Sequence, residues 1–189
     1  MRNPNNTNQR LYFESTYQDF PVQTTHGPLI ENYLVGLRKV FVKAFTRHQR
    51  LFVVRIDLRY SSRFAPPFDI DTNKPLRRFF DLLKSQLDQK EAQRKSQGIK
   101  VNHHDMWYAW AREVGPESGI PHYHLTLIFN GDAYRGVGNY SDPQAPGLYR
   151  RIHMAWAEAI GIPEDLTTGL VSVVRDGQWF VNRRAEDTV

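Results

Sequence analysis

The stretch Pro121-His-Tyr-His-Leu-Thr-Leu-Ile-Phe-Asn130 constrains the fold more than any other part of the chain. Its residues alternate with the period of two that marks an extended strand with one buried face. Tyr123, Leu125, Leu127 and Phe129 are assigned to the core, and His122 and His124 to the opposite side together with Thr126, Ile128 and Asn130, a mostly polar set. Two neutral imidazoles aimed the same way each offer a nitrogen lone pair, a natural start for a divalent metal site. A lone strand histidine is more often a surface or hydrogen-bonded residue, so the groups around this pair decide between the two readings.

A second alternating run, Leu51 to Tyr60, puts Phe52, Val54, Ile56 and Leu58 on one face and Val53, Arg55, Asp57 and Arg59 on the other. Apolar residues at helical spacing predict helices from Pro28 to about His48, from about Lys74 to Gln97 and from about Leu148 to Ile160, the last two closed by Gly98 and Gly161. Met106 to Glu113 reads as a strand joined to the histidine strand by a turn through Gly115, Pro116, Ser118 and Gly119. Leu170 to Val174 and Gln178 to Val181 read as two short strands around an Asp176-Gly177 turn. Residues 1–27 show no sustained period and are expected to form a flexible arm ahead of a single domain spanning 28–189.

With the first helix set aside, the order strand, helix, strand, strand, helix, strand is the split βαβ or ferredoxin-like pattern. The expected class is α+β, an antiparallel sheet with helices on one face plus an N-terminal helix. Right-handed crossovers place the first strand mid-sheet beside the histidine strand. Arg55, Asp57, Arg59, His122 and His124 should then share one open side.

Two histidines rarely hold a catalytic metal without a third protein ligand. Glu113 ends the partner strand of the hairpin and can sit across from His122, which makes it the best third ligand; Asp57 is the runner-up, its plainer role being an ion pair with Arg55 or Arg59. A mixed nitrogen and oxygen set suits magnesium or manganese when phosphate oxygens complete the shell, and such an ion polarises a phosphodiester. The chain has no cysteine, which excludes disulfide frameworks, thiolate zinc sites, iron–sulfur clusters and cysteine nucleophiles. No apolar run approaches the roughly 20 residues of a membrane helix, and the opening ten residues lack a secretory core, so a soluble cytoplasmic protein is expected. With 25 basic against 20 acidic residues the formal charge is +5. The clusters Arg55, Arg59 and Arg63, Lys90, Arg94 and Lys95, and Arg150 and Arg151 suit phosphate neutralisation, although a charge run on a helix is more often a solvated face. Trp107, Trp110, Trp156 and Trp179 could stack on unpaired bases, with at most one assigned that role. His103 and His104 are expected in solvent, and His124-Leu-Thr126 matches only half of the paired signature of 2H phosphoesterases.

The strand Phe52 to Tyr60, the acidic residue ahead of the His-hydrophobic-His strand, and the topology resemble the HUH endonucleases that initiate rolling-circle replication. More narrowly, Arg50 to Tyr60, Leu76-Arg-Arg-Phe-Phe80, Trp110-Ala-Arg-Glu113, His122-Tyr-His-Leu125, Asn130-Gly-Asp-Ala-Tyr134 and Ala155-Trp-Ala-Glu-Ala-Ile-Gly161 look like the YagK/YfjJ group of prophage proteins, related to the gene II replication proteins of filamentous phages (inoviruses). The resemblance runs from about residue 29 to residue 174. It implies a metal-dependent nickase acting on single-stranded or hairpin DNA, with His122, His124 and Glu113 on the metal and Arg55, Arg59, Arg150 and Arg151 on DNA. In that family a tyrosine from a Tyr-x-x-Lys helix attacks the DNA phosphate. No Tyr-x-x-Lys occurs in this chain, whose domain is expected to be truncated at its C-terminal end. Tyr149, beside Arg150 and Arg151, is the candidate nucleophile that remains, ahead of Tyr134 and Tyr140. The competing expectation is a non-catalytic DNA-binding or regulatory protein that kept the sheet and lost the nucleophile.

Overall fold

The computed structural model describes residues 1–61, 69–70, 72–115, 119–142 and 144–183. Arg63 and the turn residues Pro116 and Ser118 lie outside them. The fold is mixed α+β, built on a four-stranded antiparallel sheet of β1 (Arg50–Arg59), β2 (Trp107–Val114), β3 (Pro121–Asn130) and β4 (Val171–Asn182) in the order β2-β3-β1-β4. Three helices accompany it: α1 (Glu31–Phe45) before the sheet, α2 (Lys74–Ser96) between β1 and β2, and α3 (Leu148–Ile160) between β3 and β4. Among the described residues no helix is long and apolar enough to cross a membrane.

The helix boundaries follow from local chemistry. Pro75 opens α2, where its missing N–H is no loss, and Arg94 and Lys95 in the last turn face the negative end of the helix dipole. Gly161 ends α3 at φ 73°, a left-handed conformation that glycine adopts without steric cost. The amide of Ile162 then returns to the Ala157 carbonyl at 3.0 Å.

Strand alternation sets the core. Phe52, Val54, Ile56 and Leu58 of β1 and Tyr123, Leu125, Leu127 and Phe129 of β3 are buried in one cluster with Leu76, Phe79, Phe80, Leu83 and Leu87 of α2 and Ile152 and Trp156 of α3. The Trp156 indole N–H donates to the Arg59 carbonyl at 2.8 Å, so α3 is tied to the end of β1 as well as packed on it.

The opposite face, expected to be open, is only partly so, because the N-terminal helix packs on one end of it. The last turn of α1 lays Ala44 and Phe45 over Leu51, Val53 and Ile128. Ile128 and Asn130, assigned to the polar side, are 0% and 6% exposed as a result. Asn130 is satisfied there, donating to the His103 carbonyl at 2.9 Å and accepting from the Asp132 amide at 3.0 Å.

Two further corrections concern the ends of the chain. The segment read as an arm without periodicity forms short antiparallel pairs. Asn6–Tyr12 pairs with Arg2–Asn3 and with Leu29–Ile30 just ahead of α1, and Arg10 bridges to Glu31 at 3.1 Å. Its polar composition hides strand pairing that depends on a distant partner. At the other end, the two expected short strands are one strand. Both halves pair with β1, as Ile56 opposite Val173 and Val54 opposite Gln178, and the Asp176-Gly177 turn is a bulge opposite Arg55. Asp176 takes φ 53°, and a Cβ at Gly177 would meet the Val174 carbonyl oxygen at 2.6 Å.

The bulge therefore admits only glycine at 177 without a backbone shift. Gly177→Ala is expected to lower unfolding stability by about 1–3 kcal/mol, the range of an overpacked site, measured by urea denaturation. An unchanged midpoint would show that the bulge is not held as described.

Candidate metal centre

The register of the sheet assembles the site row by row. Across the open end of the polar face, Ala111, His124, Asp57 and Ser172 stand in line on β2, β3, β1 and β4, and the next row brings Glu113, His122 and Arg59 together. The small side chains of Ala109 and Ala111 lie opposite Thr126 and His124, so β2 leaves space beside the imidazoles.

Within these rows the polar atoms converge. Glu113 Oε2 lies 3.1 Å from His124 Nε2 and 3.4 Å from His122 Nε2. The two rings stand edge to face with centroids 4.8 Å apart. One ligand atom from each of Glu113, His122 and His124 falls within 4.8 Å of the others, close enough for a shared ion to draw the three together. The expected third ligand is thus beside both histidines.

Asp57, the runner-up, has a different place. Its Oδ1 is 2.7 Å from His124 Nδ1, behind the ring, while Oδ2 is 3.9 Å from Arg59. A carboxylate behind a ligating histidine fixes the ring and its tautomer, leaving Nε2 free to bind. The donor set fits a divalent cation: two imidazoles, one exposed carboxylate, and an orienting carboxylate at the rear. Nothing in the alternation pattern marks Ser172, which the bulged strand brings opposite Asp57.

The arginines divide between two regions. Arg55 and Arg59 are exposed on the face that carries the histidines. Arg150 and Arg151 belong to α3, which packs on the other face. Arg150 donates to the Gln144 carbonyl at 2.8 Å and lies 3.7 Å from Glu164. Arg151 stands with Arg94 near Lys90, whose ammonium is pushed below the usual lysine range first by burial and then by these two cations.

Tyr149 is likewise on the far side. Its ring is 5% exposed within the main core, and its hydroxyl donates to the Val171 carbonyl at 2.9 Å. Burial raises its pKa above the usual phenol value, away from the phenolate a nucleophile needs. The four-stranded sheet separates it from the histidines, so the Tyr149 expectation is corrected. Tyr134 packs, tilted, against Phe52 and Phe129 at the margin of the core and is no better placed. His104, expected in solvent, is only 4% exposed.

Among the tryptophans, Trp156 is buried, Trp107 packs on His48, and Trp110 contacts Tyr123 on the core side. Trp179 is different. It pairs with Val53 on the face shared with the histidines and is 46% exposed.

The molecule is therefore an α+β protein with a histidine–carboxylate cluster on the open end of an antiparallel sheet. By sequence it belongs to the YagK/YfjJ C-terminal domain family, which it matches over residues 13–188. It is 28% identical to the uncharacterized protein YagK of Escherichia coli strain K12 over 170 residues, covering 87% of this chain and 80% of that protein. It is 29% identical to the uncharacterized protein YfjJ of the same strain over 169 residues, covering 85% and 80%. No solved structure gives a significant match.

The cluster has a titration signature. Hydrogen bonding to His124 and the charge of His122 hold the Glu113 carboxyl below its ordinary value of 4.5. A depressed folded-state value means that this contribution to stability is present above the ordinary glutamate range and is lost as pH falls through the folded value. The Glu113 carboxyl, followed by carbon-13 NMR in metal-free protein, is expected to titrate below 4.5 and to return toward it in the His122→Ala/His124→Ala double variant. The same value in both proteins would mean that the three groups do not interact.

Proposed function

We propose that this chain is a ferredoxin-like HUH-type domain, related to the gene II replication proteins of filamentous phages. On this reading it is a prophage protein that acts in the cytoplasm on single-stranded or hairpin DNA at rolling-circle origins. His122, His124 and Glu113 hold a magnesium or manganese ion, and Arg55 and Arg59 take the DNA backbone beside it. The observation that carries the reading is the row-by-row convergence of two imidazoles and a carboxylate from neighbouring strands, with Asp57 behind His124. Supporting it are the βαββαβ element order and the central position of the first strand. A divalent ion at this cluster would polarise a scissile phosphodiester.

Incubation with single-stranded origin-type oligonucleotides and manganese is expected to yield nicked products, and His122→Ala/His124→Ala to reduce nicking about 100-fold or more, since Lewis-acid activation supplies several kcal/mol. Undiminished nicking by the double variant would overturn the reading.

A second reading rests on the burial of Tyr149 and its hydrogen bond to Val171. It is a DNA-binding or regulatory protein without a tyrosine nucleophile. A denaturing gel separates the two: a covalent protein–DNA adduct supports the nickase, and DNA binding with neither nick nor adduct supports the regulator.

Both readings share a DNA-binding face, on which Trp179 is an exposed aromatic. Stacking of one base on an aromatic ring contributes about 1–3 kcal/mol, so Trp179→Ala is expected to weaken single-strand binding about 5- to 150-fold in fluorescence anisotropy. Trp110→Ala, on the other face, should leave affinity within about twofold. Equal losses would place the DNA elsewhere.

A further inference from the structure

A second histidine–carboxylate cluster lies away from the open face of the sheet, where the C-terminal half of α2 meets the segment leading into β2. Glu91 comes from the helix and His103 and His104 from the segment, and one ligand atom of each lies within 4.8 Å of the others. Consecutive residues of a regular strand point to opposite faces. Here the chain is not in a strand, and Asp105 next to the pair adopts φ 39°, so both rings turn to the same side with centroids 4.7 Å apart.

We propose that Glu91, His103 and His104 form a binding site for a zinc-class divalent cation, independent of the cluster at Glu113. Three observations carry it. First, His104 is 4% exposed, its Nε2 sits 2.8 Å from Asp88 Oδ1, and its Nδ1 is buried with no hydrogen-bond partner among the described residues. A buried nitrogen left unpaired loses its hydration with nothing in return unless something binds it. Second, each imidazole has a carboxylate at its outer nitrogen. Asp88 lies behind His104, and Asp105 Oδ1 is 3.6 Å from His103 Nε2, with Asp105 itself held by His48 at 2.7 Å. A carboxylate behind each ring is the usual support of a metal-ligating histidine. Third, the acidic ligand is preset. Lys95 engages Glu91 Oε1 at 2.6 Å, which leaves Oε2, 2.7 Å from His103 Nδ1, to face the imidazoles.

The plainer reading is a network of ion pairs. It accounts for Glu91 and Lys95, but it leaves His104 Nδ1 with nothing to do. The donor set of two imidazoles and one carboxylate is that of three-ligand zinc sites with an open fourth position. An entry path exists: a cleft of about 480 Å³ reaches Glu91 and His104 from one side, and another of about 400 Å³ reaches His103 and His104 from the other. Lys90, Arg94 and Arg135 line the first cleft, so water or a small oxyanion can approach the fourth position.

Zinc alone is the probe. In the His122→Ala/His124→Ala protein, which lacks the sheet cluster, calorimetry is expected to show one equivalent bound with a dissociation constant in the micromolar range or tighter. The unfolding midpoint should rise by about 5 °C or more at a hundredfold excess over that constant. Adding His103→Ala, whose side chain is 51% exposed and can be removed without opening the core, should weaken binding tenfold or more. Glu91→Gln, which keeps the shape and loses the charge, should do the same. Anomalous scattering from zinc-soaked crystals should place the ion about 2.0–2.2 Å from the three ligand atoms. In the unmodified chain, two equivalents mean that both clusters take zinc, and one equivalent retained in the double variant assigns it to this site alone. A folded double variant that binds no zinc, or unchanged affinity after His103→Ala, overturns the proposal.

Discussion

The antiparallel register between β1 and β3 is the constraint on which the rest of the structure depends. It pairs Ile56 with Leu125 and Leu58 with Tyr123 on one face, and Asp57 with His124 and Arg59 with His122 on the other. A slip of one residue turns over the strand that moves, carrying either Asp57 or the two imidazoles beneath α2 and α3 and several large apolar side chains into water. Each apolar side chain so displaced forfeits about 1.5–3 kcal/mol, and each polar group buried without its partner adds to the cost. The same alternation that forms the core therefore delivers the candidate metal ligands, and neither can shift without the other.

Placement along the strands matters as much as the choice of face. The last turn of α1 covers the Leu51, Val53 and Ile128 end of the polar face, while α2 and α3 cover the central strands on the other. The end bearing Asp57, His122, His124 and Glu113 is left open by α1, and there the small side chains of Ala109 and Ala111 stand beside the histidines. An ion at that end would rest on three paired strands, a rigid base, with solvent on its free side. Rigid support favours a metal with defined positions for its ligands, because little ordering remains to be done when it binds. The same geometry separates the site from Tyr149, which α3 holds on the opposite face.

Legibility in the sequence followed the range of the interactions involved. Strict alternation in 51–60 and 121–130 and the helical stripes of α2 and α3 are local signals, and those elements stand where the periods put them. Glu113 was placed opposite His122 by turn length alone, and the pairing of β2 with β3 has that register. What eluded the reading depends on distant partners. Asp176-Gly177 has the composition of a hairpin turn, yet both flanking segments find the same edge of β1, and the pair becomes a bulge. Ile128 and Asn130 share a period with His124, and only the docking of α1 separates their fates. Tyr149 sits beside two arginines in sequence, but helical geometry directs its ring inward and theirs toward Gln144 and the α2 cations. His104 resembles a solvent histidine until Asp88, sixteen positions earlier on α2, is seen at its Nε2.

The two histidine–carboxylate clusters share one construction and differ in their supports. In each, a carboxylate stands behind an imidazole: Asp57 at His124, and Asp88 at His104. At the sheet the groups come from neighbouring strands whose ladder fixes their spacing. At α2 they come from a helix and an irregular segment joined through side chains, among them Glu91 with His103 and Asp88 with His104. Strand pairing is cooperative and hard to distort, whereas a side-chain tie between a helix and a segment yields to local opening. The sheet cluster is thus suited to holding a reacting group in place, and the α2 cluster to fastening the approach of β2 against the helix. Since β2 carries Glu113, whatever steadies its first residues also steadies the edge of the sheet from which the third ligand projects.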